Sequence, residues 1–272
     1  MVTRAAAVAG MFYPDNLDVL SRQIETYLSE VPEHDGPAPV GIIVPHAGYI
    51  YSGPVAASAY ACLRGCSFHK VAVFAPSHFD AFEGLSIYSG DAMYTPLGEV
   101  EVAVEERERL CQEHGAVSSD LGHGSEHALE VQLPFLQKVL EPGWQLIPIV
   151  MGLLNRETAK QATAIIREYL QSQILVVISS NLSHYYPYNT AKRIDGRFCK
   201  MIESGNLDEL WTASRKREVE ACGFGSVFAL LSVVKERDNI VIEILDYRNS
   251  GDTAGSKDQV VGYCAAGVFE RS

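Results

Sequence analysis

The chain has 272 residues, 47% of them hydrophobic, which is enough to bury a large core, and 34 acidic against 22 basic residues give a formal net charge of −12. That charge repels phosphate backbones and anionic lipid, and no Lys/Arg cluster interrupts it, which argues against a nucleic-acid partner. No apolar run reaches the ~18 to 20 uncharged residues a membrane span needs. The cysteines at 62, 66, 111, 199, 222 and 264 form no C-x-x-C pair, so reduced thiols in a cytoplasmic protein are expected.

In chain order, "MVTRAAAVAGMF" imitates a signal peptide only faintly, with no convincing cleavage pattern. The segment 15–31 repeats apolar residues at helical spacing after an Asp/Asn start, and "PEHDGPAP" breaks it. The runs "VGIIV" (40–44), "VAVFA" (71–75), "LIPIV" (146–150) and "ILVVI" (174–178) are short and continuously apolar, as strands covered on both faces are. Helical patterns at about 54–64, 100–115, 126–141 and 155–171 alternate with them. Two further strands, "IVIEILDYRNSGD" and "VVGYCAAGVFE", flank a Gly/Asp/Ser-rich segment, 249–258, long enough for a functional loop. The expected fold is one α/β domain over 1–272, with a central, mostly parallel sheet flanked by helices.

In such sheets ligands collect beyond the carboxyl ends of the strands. His46 and His78 fall there after two different strands, each just past a proline (Pro45, Pro76) that fixes the backbone, and "SSNLSH" puts Asn181 and His184 on the same rim. Cys222 precedes a helix whose apolar spacing runs from Val227 to Val234. A helix N-terminus favours thiolate, which makes such a cysteine a nucleophile or a metal ligand, while the alternative is a small buried hydrophobe. In "GSEHALEVQLPFLQKVL" Ser125 reads as an N-cap, with Glu126 and His127 in a first turn that either faces a pocket or only complements the helix dipole, and Pro134 suggests a kink. The aromatic residues Tyr49, Tyr51, Phe79, Phe82, Tyr185 and Tyr186 follow these positions closely and either shape a pocket or fill the core. His34, His69, His114 and His123 read as surface residues.

The ordered tags "GMFYP", "PHAGYIYSG", "APSH", "EHALEVQLPFL", "SSNLSHY", "ACG" and "VGYCAAG" span essentially the whole chain, and by them it resembles the Memo family, whose microbial members are also called AmmeMemoRadiSam system protein B. Memo proteins in turn resemble the class III extradiol dioxygenases, which hold a non-haem Fe(II) by two histidines and a third residue. The resemblance implies His46 and His78 as imidazole ligands and Cys222 in the third place. It implies His184 as an acid/base group beside the substrate; by their positions in the sequence, Glu126, His127, Tyr49 and Tyr185 are expected behind the ligands or around the pocket. Fe(II) is the first expectation for the metal, and a thiolate makes copper or zinc competitors. Asn181 departs from the aspartate common in the family, which alters the electrostatics beside His184, and Val8 stands where some relatives have histidine.

The leading functional reading is an oxidoreductase acting on an aromatic, catechol-like compound. A non-catalytic adaptor that binds a ligand or phosphopeptide is the alternative, and a cysteine-dependent hydrolase using Cys222, His184 and Asn181 stands third. By the family's company, a radical SAM enzyme and an AMMECR-type protein are expected as pathway companions.

Overall fold

The computed structural model describes residues 1–34 and 36–271; residue 35, within the expected breaker "PEHDGPAP", lies outside them. The first stretch runs β1 (Thr3–Arg4), α1 (Leu17–Ser29), β2 (Gly41–Val44), α2 (Tyr49–Tyr60), β3 (Lys70–Pro76) and β4 (Leu85–Ile87). Next come β5 (Ala92–Thr95), β6 (Gly98–Glu101), α3 (Val104–His114), β7 (Val117–Ser118), α4 (Leu133–Val139) and β8 (Gln145–Met151). The last stretch holds α5 (Arg156–Tyr169), β9 (Leu175–Ser179), β10 (Asn181–Tyr186), α6 (Tyr188–Ser204), α7 (Leu207–Arg215), α8 (Phe224–Lys235), β11 (Ile240–Asn249), α9 (Ser250–Thr253) and β12 (Val260–Glu270).

The centre of the main sheet is four parallel strands in the order β2-β9-β3-β8. These are the four continuously apolar runs, and they are buried along nearly their whole length because helices cover both faces. The two-residue period of a strand divides the core. Val71, Val73 and Ala75 of β3 pack into one cluster with α1, α2 and α4, while Ala72 and Phe74 pack into the other with α5, α6 and α8. Antiparallel strands close the edges: β12 runs beside β2, β10 and β11, and β4 beside β8. A small sheet of β1, β5 and β6 stands apart.

α1 illustrates how the local sequence sets an element. The Asn16 side chain accepts hydrogen bonds from the Asp18 and Val19 N–H groups, capping the first turn. Leu20, Ile24 and Leu28, at four-residue spacing, are then buried, each contributing roughly 1.5–3 kcal/mol by leaving water.

Several expected elements differ. The helix expected over 126–141 is a single 3-10 turn (Glu130–Gln132) leading into α4, and Pro134 lies in the first turn of α4, where a missing N–H costs nothing, so it makes no kink. The pattern at 100–115 is helical only from Val104, because Gly98–Glu101 pairs with β5 as a hairpin. α6 and α7 were not foreseen. No helix among the described residues is long and apolar enough to cross a membrane.

Candidate metal centre

Three adjacent parallel strands, β2, β9 and β3, deliver polar residues to one rim. Register aligns Val44 with Ser179 and Phe74 with Ile178, so His46, Asn181 and His78 emerge two to four residues later at the same end of the sheet. Cys222 arrives from the loop before α8. Its N–H donates to the Asn181 carbonyl at 3.2 Å, and its Sγ accepts the Asn181 N–H at 3.1 Å. Gly223 makes this approach feasible, because a Cβ there would stand 2.5 Å from the Ser179 carbonyl oxygen. The ligand atoms of His46, His78 and Cys222 all lie within 4.8 Å of one another, and those of His78, Glu126 and His127 form an overlapping group on the same criterion.

Hydrogen bonds decide which nitrogen each histidine presents. Ser179 Oγ donates to the Ala128 carbonyl at 2.6 Å and accepts from Gln132 Nε2 at 2.8 Å. With its single hydrogen spent, it can only accept from His46 Nδ1, 2.8 Å away, so the His46 proton sits on Nδ1. The Nε2 lone pair of His46 then faces Cys222 Sγ at 3.0 Å. His78 is oriented the same way by a carboxylate: Nδ1 lies 2.9 Å from Glu126 Oε1, and the His78 backbone N–H donates to Oε2 at 2.6 Å. Imidazole backed by a carboxylate or hydroxyl on its far nitrogen is the usual support of a metal-binding histidine.

The electrostatics follow from burial. Desolvation, then the neighbouring rings of His78, His127 and His184, hold His46 neutral, well below the ordinary imidazole range. Burial first, and His78 second, likewise lower His184; for His127 burial lowers the pKa against an opposing pull from Glu126. His78 goes the other way. Burial opposes its charge, but hydrogen bonds to Cys222 and Glu126 outweigh it and raise it to about 10. Burial would raise Glu126, yet His78 and the Ala128 N–H overcome it and the carboxyl is lowered. A cation here would meet a neutral His46 and would have to displace the proton that His78 holds, and a cysteine and imidazole donor set suits Fe, Cu and Zn.

Above these atoms opens a cavity of about 550 Å³. His127 lines it, stacked on His78 at 4.8 Å between ring centroids and packed against Phe12 at 4.6 Å. His184 and Tyr185 line it from β10, whose pairing with β12 slips on both sides of His184, and Tyr185 has φ of +62°. Such a bulge re-aims side chains, and left-handed backbone at a tyrosine is strain held by its surroundings. Asn181 also lines the cavity, but its Oδ1 accepts the His46 N–H at 2.9 Å, so it fixes the His46 backbone.

Other expected pocket residues fall elsewhere. Tyr49 is buried in α2 with its hydroxyl donating to the Val131 carbonyl, outside the lining, whereas Tyr51 of the same helix does line the cavity. Phe79 is exposed at the edge of His127, Phe82 packs on the core, and Tyr186 donates to Glu220. His123, expected at the surface, is buried with its Nε2 against the Ser86 carbonyl, and burial lowers it to about 4. Sequence reasoning did not find Phe12, Ser179, Gln132 or Tyr263. A wider hollow of about 1010 Å³ lies at the opposite strand ends, around Lys70 and Ile174, but it holds none of the clustered donors.

The fold and site thus define an α/β protein with a two-histidine, one-cysteine cluster at the carboxyl ends of its parallel strands. A family model described as "Memo-like protein" matches residues 4–267. Curated relatives named "MEMO1 family protein" include one from Aquifex aeolicus, 36% identical over 97% of this chain and 98% of its own length, and one from Methanosarcina mazei, 33% identical with the same coverage. The chain belongs to the Memo family.

Proposed function

We propose that the protein holds one Fe(II) through His46 Nε2, His78 Nε2 and Cys222 Sγ and acts as an oxidoreductase on an aromatic, catechol-like compound. The observation that carries this reading is the pair of contacts from His46 Nδ1 to Ser179 and from His78 Nδ1 to Glu126, which leave both Nε2 atoms for a cluster with the Cys222 sulfur. When bound, the metal would supply redox chemistry and positions for a chelating phenolic ligand. The chain's own residues do the rest. His184, kept neutral by burial, can accept a proton from a phenolic hydroxyl at the cavity wall, and the aromatic lining gives a planar ring faces to pack on.

Anaerobic Fe(II) titration followed by elemental analysis tests it, with wild type beside His46→Ala and Cys222→Ala. Near-stoichiometric iron that is lost in both variants is expected; retention of iron by either variant defeats the assignment.

The 3.0 Å contact between Cys222 Sγ and His46 Nε2 favours a second reading, a cysteine nucleophile with His46 as its base, in place of the Cys222, His184 and Asn181 set. Alkylation of the metal-free protein at neutral pH separates the two. A Cys222 no more reactive than an ordinary thiol defeats the nucleophile reading.

A further inference from the structure

The cavity's walls are aromatic: Phe12, Tyr51, Tyr185 and Tyr263 surround the rings of His127 and His184. Its lip is the loop between β11 and β12, from which Ser256 and Gln259 reach the opening. Among the described residues no lysine, arginine, aspartate or glutamate lines it. The one cation of that loop, Lys257, lies 4.7 Å over the Tyr188 ring, and the loop's acids are engaged as well, Asp252 by the Tyr188 hydroxyl and Asp258 by Ser256 Oγ. Glu126 is spent behind His78.

Apart from His78, whose proton a bound metal would replace, a ligand that enters therefore meets flat aromatic faces and neutral hydrogen-bonding groups. A carboxylate on its outer end would find no cationic partner in the lining, and it would lie beside a rim that carries Asp252 and Asp258 against the one Lys257. Charge counting agrees. A divalent cation held by two neutral imidazoles and one thiolate carries a single net positive charge, which one ionised phenolic oxygen cancels, leaving a second anionic group unbalanced.

Resting on the metal reading above, we infer that the ligand is a small phenolic or catecholic ring carrying no other ionised group. Its outer end is read by neutral side chains of the 250–259 loop, Gln259 first among them, since the Ser256 hydroxyl is donated to Asp258. This makes the loop the specificity-determining element, and it separates this cavity from sites that seize aromatic acids with an arginine or lysine.

The test uses protein loaded with one equivalent of Zn(II), which is redox-silent, with loading checked by elemental analysis. Calorimetric titrations compare catechol, 4-methylcatechol and 3,4-dihydroxybenzoate. The two neutral rings should bind at least about tenfold more tightly than the acid, and Gln259→Arg should raise affinity for the acid by about tenfold, as expected for one charge-assisted hydrogen bond. Equal or tighter binding of the acid by the wild type overturns the inference, as does binding of none of the three. An unchanged affinity of Gln259→Arg for the acid, with an unchanged melting temperature, overturns the role of the loop. Failure of zinc to load, seen in the elemental analysis before any titration, strikes the metal reading and with it the charge argument that rests on the bound cation.

Discussion

A histidine can offer either ring nitrogen to a metal, and in this protein the choice is made by side chains that never touch the donor cluster's open side. Ser179 and Glu126 each occupy an Nδ1, leaving Nε2 to the cluster. Glu126 also takes the N–H groups of His78, His127 and Ala128, so one buried carboxylate ties His78 to the segment that carries His127. Replacing it with the isosteric amide in Glu126→Gln keeps the volume but loses the charge and half the acceptor capacity. Metal affinity in that variant, and in Ser179→Ala, should fall by about 10- to 100-fold, as for other groups that orient metal-binding histidines. Competition against a chelator of known affinity measures this, and wild-type affinity in both variants would show that orientation is set elsewhere. The histidines were legible in the sequence because they follow strand ends. Ser179 was not, because a serine at the end of an apolar strand signals nothing until its partner, His46, 133 residues away, is known.

At the scale of elements, the short segment 123–130 is held by burial of a second charged group. Glu130 is fully buried and accepts from Arg4 Nη1 at 2.6 Å, from the Ala7 and Val8 N–H groups, and from the Tyr13 hydroxyl. Arg4 in turn donates to the carbonyls of His123, Gly124 and Glu126. The N-terminal segment and the Glu126 loop are thus riveted through one ion pair. Glu130→Ala strands the Arg4 guanidinium out of water and should cost roughly 3–5 kcal/mol in urea unfolding, the cost typical of removing one partner of a buried pair. A loss under about 1 kcal/mol, the usual worth of an exposed pair, would mean that Arg4 swings to solvent. The same loop explains why a helix was expected at 126. A serine followed by an acidic residue imitates an N-cap and first turn, but here the Glu126 side chain takes the Ala128 N–H for itself and reaches across to His78, so the chain stays irregular until Glu130. The four central strands were legible for the opposite reason: burial on both faces leaves a continuous apolar run that no long-range partner needs to explain.

For the whole molecule, the buried imidazoles couple folding to pH. His123 titrates near 4 in the fold against 6.5 unperturbed, chiefly because burial penalises its charge, and His46, His127 and His184 are lowered for the same leading reason. As pH falls below 6.5 the unfolded chain takes up these protons first, so each group costs up to about 1.4 kcal/mol per pH unit until its folded pKa is reached. Asp195, raised by burial to about 6, opposes this, since the folded chain holds its proton where the unfolded chain does not. His78, raised to about 10, adds stability that is complete below 6.5 and is lost only as pH climbs towards 10. Four lowered histidines outweigh the raised Asp195 and the part of the His78 contribution already lost between pH 6.5 and 7, so the metal-free protein should be less stable at pH 5 than at pH 7 by roughly 2 kcal/mol. Urea unfolding at the two pH values measures the difference. His123→Gln, which removes one of the four without touching the histidine–cysteine cluster, should shrink it; equal stability at pH 5 and 7 in the wild type would mean that these rings meet water more freely than their burial implies.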